Sequence, residues 1–363
     1  MKQRPVVDWG HPPRKDMPQK PTRLTLKDMA QRLNVSTATV SNAFNRPNQL
    51  SAGLRERILS ECRDVGYPGP HAAARSLRTG RTGIVGVMLS NYLSYSFSDP
   101  VAHQFLQGLA DVFEQREYNL LIMPSRDHVS QVPGVESFVD GFIIYGPPEP
   151  EKLRRLITQP KSVITVDFEL ENCVSVNIDN YESAKHCAGH ALKGDCEPAA
   201  ILGLRITDAN RVCRISNCAL FDSRSTITVQ RLNGFLDAAA EAACDIPAER
   251  IWHIPDNTHE LAYQAAREAL MCTPLPKVLL CMSDRLGLAA IQAARHLNLN
   301  VPEDVRITGF DDIPEASTQH PSLTTVHQQS IDKGRIAAEI FVGDRPEENV
   351  LLPTRVMIRE SCP

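Results

Sequence analysis

The chain has 363 residues, of which 42% are hydrophobic and 23% charged, and its formal net charge is −4. This length predicts two or three domains with a large core, and no apolar run approaches the ~20 residues that a membrane-spanning helix requires. The charge is unevenly divided: residues 1–82 carry 15 Lys and Arg against 6 Asp and Glu, a net of +9, whereas the remainder carries 24 against 37, a net of −13. A basic end on an acidic body is typical of proteins that contact nucleic-acid phosphates at that end.

The first 23 residues contain five prolines among charged side chains and no apolar stretch. They predict a disordered arm and not a secretory signal. The ten cysteines include no C-x-x-C pair, and the 11 histidines show no H-E-x-x-H or comparable spacing. This scatter predicts reduced thiols in a cytoplasmic protein without a metal site or another cofactor.

The segment LTLKDMAQRLNVSTATVSNAFN, residues 24–45, predicts two short helices joined by a tight turn. The first helix has its apolar residues at the spacing i, i+3, i+4 and i+7, namely Leu26, Met29, Ala30 and Leu33. Thr25 and Asp28 predict a cap at its start, Asn34 predicts the turn, and Ser36 is a good first residue for the second helix. Such a pair indicates a helix-turn-helix, although a helical hairpin within a larger core would give the same spacing.

The second helix is expected to present small polar groups on the side opposite its apolar residues. The apolar side comprises Val40, Ala43 and Phe44, and the outward side comprises Thr37, Ala38, Ser41 and Asn42. Residues 54–65 predict a third helix. The following stretch, YPGPHAAARSLRTGRT, predicts an Ala-rich helical turn, for which an interdomain linker is the simpler interpretation.

From residue 83 onward, short apolar strands alternate with amphipathic helices. This alternation predicts an α/β fold with parallel sheets covered on both faces. About 280 residues exceed what one sheet accommodates, so we expect two doubly wound lobes with a crevice between them.

Several motifs occur together in one order, among them LTLKDMAQRLNVSTATVSNAFN, GYPGPHAAARSLRTGRTGIVGV, RLNGF, SDRLGLAAI, VRITGFDDIPEASTQHPSLTTVHQ and LLPTRVMIRES. In this combination the chain resembles the LacI/GalR family of bacterial transcription regulators over nearly all residues after the first 23. The resemblance implies an all-α helix-turn-helix headpiece with a hinge, followed by a two-lobed periplasmic-binding-protein-like core. It also implies a homodimer, or a tetramer of such dimers, that binds operator DNA and is controlled by a small effector, most often as a repressor.

The domain boundaries follow from this comparison. The expected segments are an arm at 1–23, the DNA-binding domain at 24–70, a hinge helix at 71–82 and an effector-binding and dimerisation core at 83–361. We expect the first lobe at about 83–182 and 328–346, and the second lobe at about 183–327 and 347–361.

The resemblance also assigns DNA-contacting residues. Thr37, Ala38 and Asn42 match positions that read base edges in the major groove, and Thr39 and Ser41 are better placed for phosphates. Asn42 stands where the family usually has Arg, and an Asn can pair with adenine in place of the bidentate guanine contact that Arg makes. The hinge is expected to insert Leu77 into the minor groove, and it has His71 where Asn is usual.

In the crevice, the resemblance assigns ligand contacts to the fork-shaped Arg231 and to Asp311. Ser283, Asp284 and Asp179 are further matches at strand ends. Tyr95, Phe97 and Asp99 lie in the loop after the first strand of the core, where the switch-point rule places ligand contacts. The simpler interpretation of each carboxylate is a helix cap. The expected ligand is polar and hydroxylated, such as a sugar or nucleoside.

Two other function classes remain open at this point. An α/β enzyme would also have carboxylates at strand ends, but no G-x-S-x-G, P-loop or G-x-G-x-x-G fingerprint accompanies them, and we predict no catalytic residues. Catalysis would also leave the basic headpiece unexplained. A solute-binding protein would have the same two-lobed core, but that class is exported, and the first 23 residues do not predict a secretory signal.

Overall fold

The computed structural model of the protein describes residues 24–69, 80–125, 134–215 and 226–363. The chain divides into two compact units, Met1–Thr82 and Gly83–Pro363. The predicted arm at 1–23 and nearly all of the predicted hinge at 71–82 lie outside the described residues. Each cysteine within the described ranges is a free thiol, and none of the helices in those ranges has the length and apolar character to cross a membrane.

The first unit contains three helices, α1 (Leu26–Leu33), α2 (Thr37–Asn45) and α3 (Ala52–Asp64), with a 3-10 turn at Pro47–Gln49. The α1 helix begins with a capping box, because the Thr25 hydroxyl accepts from the Asp28 amide and the Asp28 carboxylate accepts from the Thr25 amide. It ends at Asn34 in the left-handed conformation with a φ of 52°. Local chemistry thus confirms the predicted helix-turn-helix.

The three helices enclose a small apolar core. Its members are buried side chains from every helix and from the segment after α3, including Met29, Leu33, Val40, Ala43, Ile58, Cys62 and Tyr67. Two arginines of α3 tie the helices together through carbonyl oxygens: Arg55 Nε donates to Ala43 O at 3.1 Å, and Arg57 Nη2 donates to Leu33 O at 3.2 Å. These contacts satisfy carbonyls near helix C-termini that otherwise lack partners.

The first lobe of the core contains a parallel six-stranded sheet. Its strands within the first part of the chain are β1 (Ile84–Leu89), β2 (Asn119–Pro124), β3 (Gly141–Tyr145), β4 (Ser162–Val166) and β5 (Val174–Ile178). The helices between these strands are α4 (Leu93–Ser96), α5 (Pro100–Phe113) and α6 (Pro150–Ile157), with a 3-10 turn at Val135–Phe138. The strands are near-continuous apolar runs because both sheet faces are covered.

The second lobe contains a five-stranded sheet. Its strands are β6 (Ala199–Leu204), β7 (Cys213–Arg214), β8 (Ile251–Ile254), β9 (Val278–Cys281) and β10 (Arg306–Thr308). Its helices are α7 (Asn180–Ala191), α8 (Thr226–Glu241), α9 (His259–Leu270), α10 (Asp284–His296) and α11 (Pro314–Thr318), with a 3-10 turn at Ala248–Arg250. The order is β10-β9-β6-β8-β7. Within this sheet, as far as the structure describes it, β7 pairs antiparallel with β8 and the other pairs are parallel.

The last 40 residues cross between the lobes. They comprise β11 (Thr325–His327), α12 (Ser330–Val342), β12 (Val350–Leu352) and β13 (Arg355–Met357). β11 pairs antiparallel with β13, and β12 pairs parallel with β5 at the edge of the first sheet. The predicted return to the second lobe at residue 347 is therefore wrong: the chain stays in the first lobe through Leu352, because β12 completes its sheet.

Two glycines allow α12 to lie directly on α5 in the first lobe. A Cβ at Gly334 would lie 2.1 Å from the Phe105 carbonyl oxygen, and a Cβ at Gly108 would lie 1.9 Å from the Ile331 carbonyl oxygen. The backbones approach so closely that no side chain fits at either position. This contact fixes α12, and with it Lys333, relative to the sheet.

Candidate functional site

The exposed face of α2 carries small polar and apolar groups. Thr37 and Ala38 are exposed, and Thr39 and Asn42 are half-buried. The Ser36 hydroxyl accepts from the Thr39 amide at 3.0 Å and also bonds to the Thr39 hydroxyl at 2.8 Å, which fixes the first turn. A helix N-terminus with hydroxyl and amide groups suits phosphate oxygens and base edges.

Ser41 does not belong to this exposed face. It is 4% exposed, its carbonyl accepts from Asn45 Nδ2 at 2.9 Å, and its hydroxyl lies 3.4 Å from the same nitrogen. The predicted outward orientation of Ser41 is wrong, because Ser41 is next to Phe44 around the helix and turns inward with it. The other predicted DNA contacts, His71 and Leu77, lie outside the described residues.

Arg231 of α8 lies at the centre of the candidate crevice site and is 9% exposed. Its Nε donates to Asn180 Oδ1 at 3.0 Å, and its Nη1 donates to Met282 O at 2.8 Å. Its guanidinium lies over the Phe310 ring, 3.5 Å from the centroid. Burial lowers the pKa of Arg231, and the negative charge of Asp311 opposes that change. Stacking on Phe310 and the two hydrogen bonds therefore hold the planar guanidinium of Arg231 in one orientation.

Asp311 follows β10 and faces Arg231. Its Oδ1 accepts from Gln328 Nε2 at 2.8 Å and lies 3.5 Å from Arg231 Nη1. Burial raises the pKa of Asp311 well above its ordinary value, and the positive charge of Arg231 opposes this rise. Within the described part of the chain, Arg231 Nη2 and Asp311 Oδ2 have no hydrogen-bond partner. A donor and an acceptor are thus left side by side, which suits a hydroxyl group because it both accepts and donates.

The first lobe contributes a second carboxylate. Asp167 follows β4, has a φ of 64°, and its Oδ1 accepts from Lys333 Nζ at 2.6 Å. Burial raises the pKa of Tyr145, and the charges of Asp167, Asp99 and Asp311 raise it further. Because the charges of all three carboxylates raise the pKa of the same phenol, the three carboxylates lie near one region between the lobes.

The loop after β1 meets the second lobe at the edge of the crevice. Arg285 Nη1 donates to Asn257 O at 2.9 Å and its Nη2 donates to Ser98 O in that loop. The Arg285 guanidinium lies over the Tyr95 ring, 5.9 Å from its centroid, and burial raises the pKa of the Tyr95 phenol. Burial also raises the pKa of Asp99, against the positive charge of Arg285. Tyr95 and Asp99 thus lie at the junction of the lobes.

Phe97 and Ser283 have different environments. Phe97 is 54% exposed, and its carbonyl bonds to His103 Nε2 at 2.9 Å. Ser283 is buried at the start of α10, where its hydroxyl accepts from the Leu286 amide and donates to Asn257 Oδ1 at 2.8 Å. Ser283 therefore orients Asn257, and Phe97 presents a large apolar ring to solvent.

Comparison with known proteins agrees with this arrangement. A model for bacterial regulatory proteins of the lacI family matches residues 25–68, and a model for periplasmic binding protein-like domains matches residues 212–362. An HTH-type transcriptional regulator of Mycobacterium tuberculosis is 33% identical over 327 residues, 88% of this chain and 90% of that protein. The regulator IpsA of Corynebacterium glutamicum is 31% identical, with the same two coverages. The chain belongs to the LacI family.

More distant relatives and solved structures extend the comparison. The repressor PurR of Photobacterium profundum is 25% identical over 90% of this chain and 93% of its own length. The lac repressor dimer bound to operator and an anti-inducer has a TM-score of 0.72 at 20% identity, covering 94% of this chain and 99% of that one. The regulator CelR in complex with cellobiose has a TM-score of 0.63 at 22% identity, with coverages of 93% and 100%. This LacI-family protein is a DNA-binding transcriptional regulator with the two-lobed fold.

Two carboxylates of this LacI-family chain are not where the sequence predicted them. Asp179 is exposed and caps α7, its Oδ1 accepting from the Glu182 amide at 2.9 Å, while the next residue, Asn180, contacts Arg231. Asp284 is fully buried, and its carboxylate accepts from the Thr325 hydroxyl and from the Ile313 amide. Burial raises its pKa to about 7. Asp179 is therefore a helix cap, which was the simpler interpretation. The cap of α10 is Ser283, and Asp284 instead joins this helix to Ile313 and Thr325.

Sequence reasoning missed several residues of the crevice site, namely Asn180, Asn257, Arg285, Asp167, Gln328 and Lys333. Asp167 lies close to the C-terminal end of the predicted strand KSVITVDF, so its position carried a signal similar to that of Asp311. Lys333 had a weaker signal, because a single lysine in an apolar helix usually extends its ammonium to solvent.

Proposed function

We propose that this LacI-family regulator is a repressor whose operator affinity is controlled by a neutral, hydroxylated molecule, such as a sugar or nucleoside, bound between the core lobes. It acts in the cytoplasm as a homodimer, with α2 of each protomer in the major groove of a pseudopalindromic operator. The observation that carries the proposal is the free donor of Arg231 beside the free acceptor of Asp311.

Charge balance favours a neutral effector over an anion. The three carboxylates of the crevice, Asp311, Asp167 and Asp99, are each close to one cation, respectively Arg231, Lys333 and Arg285. Among the described residues, each of these three cations is already balanced by a carboxylate, so the desolvation of an anionic ligand there would be uncompensated. Hydroxyl groups need no counter-charge and can use the donor and the acceptor together. The cellobiose complex of CelR and the repressor name of PurR support the ligand class and the direction of control.

The DNA-binding half of the proposal follows the exposed face of α2. We assign base contacts to Thr37, Ala38 and Asn42 and a phosphate contact to Thr39. In the hinge we assign the minor-groove contact to Leu77 and a further DNA contact to His71. Asn42 suits the N6/N7 edge of adenine, to which an Asn amide can bond in a bidentate manner.

A two-step experiment tests the function. The full chain is first used to select binding sites from a random DNA pool. Affinity for the selected site is then measured by fluorescence anisotropy with and without each member of a panel of cellobiose, ribose, adenosine and their sugar phosphates. Each compound is also tested for thermal stabilisation of the protein, since a ligand that binds only the folded state raises its apparent stability. Selection of no preferred DNA sequence would refute operator binding, and stabilisation by anionic sugar phosphates alone would refute a neutral effector.

A further inference from the structure

A second basic side chain, Lys333 of α12, is buried beside the crevice at 1% exposure. Its Nζ donates to Asp167 Oδ1 at 2.6 Å and to Gln328 Oε1 at 2.8 Å. Burial lowers the pKa of Lys333, and the charge of Asp167 opposes this change. A lysine is seldom buried in this way without charged and polar partners.

The chemistry of Lys333 fixes the direction of the next hydrogen bond. An ammonium group only donates, so the Gln328 amide must turn its oxygen towards Lys333 and its NH₂ towards Asp311. Gln328 Nε2 donates to Asp311 Oδ1 at 2.8 Å. One oxygen of Asp311 is thereby occupied, and the other stays available beside Arg231.

These hydrogen bonds run from one lobe to the other. Asp167 follows β4 of the first sheet, and Lys333 lies on α12, which packs on α5. Gln328 lies in the crossover directly after β11, and Asp311 follows β10 of the second sheet. Asp311 is also tied to the crossover by its backbone, since its amide donates to Val326 O at 3.0 Å.

We propose that Lys333 is a positioning residue of the effector site, which links the first lobe to the Arg231–Asp311 pair by fixing the direction of the Gln328 amide. The proposal rests on the proposed function in one respect, that the effector binds at Arg231 and Asp311. Lys333 does not touch the effector in this scheme. It determines where Asp311 presents its free oxygen and makes that position depend on the placement of the two lobes. The alternative is a purely structural ion pair in which Lys333 only neutralises Asp167.

A comparison without ligand tests the link directly. Crystal structures of the full chain and of its Lys333→Met variant should show that the distance from Gln328 Nε2 to Asp311 Oδ1 rises from 2.8 Å to beyond hydrogen-bond range. Lys277→Met is the matched control, because Lys277 makes an exposed ion pair with Asp195 in the second lobe. A Gln328–Asp311 contact unchanged in Lys333→Met would overturn the proposal. If that variant does not fold, Lys333→Met combined with Asp167→Asn removes the unpaired buried charge and serves the same comparison.

A double-mutant cycle measures the link in effector binding. With whichever of cellobiose, ribose or adenosine binds the parent, Lys333→Met and Gln328→Met should each weaken binding by about 10-fold, and the double variant by no more than about 10-fold, because both remove the same link. Independent effects that multiply to about 100-fold would overturn the proposal, as would unchanged affinity. If none of the three compounds binds the parent, the proposed effector class fails, and the crystallographic distance still decides the role of Lys333.

Discussion

Arg231 lies over the ring of Phe310 at 3.5 Å from the ring centroid, and Phe310 is the residue immediately before Asp311. One tripeptide, Gly309–Phe310–Asp311, thus supplies both the surface on which the guanidinium rests and the carboxylate that it faces. The guanidinium of Arg231 is therefore held in one orientation before a ligand arrives. Because binding need not order this side chain, less affinity is lost to conformational entropy.

Replacing Arg231 should therefore abolish the effector response and leave effector-free operator binding nearly intact. We expect Arg231→Ala to weaken effector binding by at least about 30-fold, since removal of one partner of a buried charge pair costs about 2–5 kcal/mol. Operator affinity with and without the effector is the measurement. Arg214→Ala is the matched control, because Arg214 also lies over an aromatic ring of the second lobe, that of Trp252, but is exposed. A response equal to that of the parent in Arg231→Ala would show that the assigned site is wrong.

The order of strands and helices was predictable from the sequence because apolar runs and helical periodicity are local properties. The six-residue strand β1, the helix α10 and the caps at Thr25 and Ser36 all follow such local rules. The return of β12 to the first sheet was not predictable, because a three-residue strand has too little pattern to identify its partner.

The candidate site was only partly predictable for a related reason. Arg231 and Asp311 lie together as the resemblance implied. Asp179 and Asp284 show the limit, since a carboxylate at the end of a strand can cap the following helix, bind other buried groups or point into the crevice. Only the tertiary structure distinguishes these cases. The Asp167–Lys333 pair joins residues 166 positions apart, and nothing local in the sequence connects them.

Residues 1–82 should carry the DNA affinity and lose it steeply with salt. The prediction rests on the net charge of +9 in this segment, because each neutralised phosphate adds about 0.9 to the slope of log affinity against log salt. Operator affinity of the full chain and of a chain that starts at Gly83 is compared between 50 and 200 mM salt, about the range over which such losses are large. Equal affinity of both chains would exclude the headpiece as the DNA-binding unit.

Asn42 and Ser41 should respond differently to alanine. Asn42→Ala is expected to relax the preference at one base pair of each half-site by about 1–3 kcal/mol. Ser41→Ala should keep the sequence preference, because the Ser41 side chain faces the headpiece interior and Asn45. Site selection with both variants checks this, and a loss of binding in Ser41→Ala with an unchanged thermal midpoint would restore Ser41 as a phosphate contact.

The close approach of α12 to α5 should make Gly334 intolerant of any side chain. A Cβ there would lie 2.1 Å from the Phe105 carbonyl oxygen, so Gly334→Ala should lower the stability of the core by about 2 kcal/mol or more. Gly189→Ala is the matched control, since Gly189 lies within α7 and no atom would lie within 4 Å of its Cβ. There alanine should raise stability by about 0.5–1 kcal/mol through its better helix propensity. Thermal midpoints of both variants test the pair, and similar shifts in both would contradict the packing argument.

The buried carboxyl of Asp284 should make the core less stable as the pH rises from about 4 to about 7. Burial raises its pKa from 3.8 to about 7, so in this interval the folded protein holds a proton that the unfolded chain has released, and stability falls with rising pH. Asp284→Asn should flatten this decline, because the amide can donate to the Thr325 hydroxyl and accept from the Ile313 amide, as the protonated acid does.

A second variant changes the pKa of Asp284 and keeps its carboxyl group. Thr325→Val removes a hydrogen bond that lowers this pKa, so it should extend the decline in stability to higher pH. Thermal midpoints of the parent and both variants between pH 4 and pH 8 provide the measurement, and an Asp284→Asn profile parallel to that of the parent would show that Asp284 does not titrate in this interval.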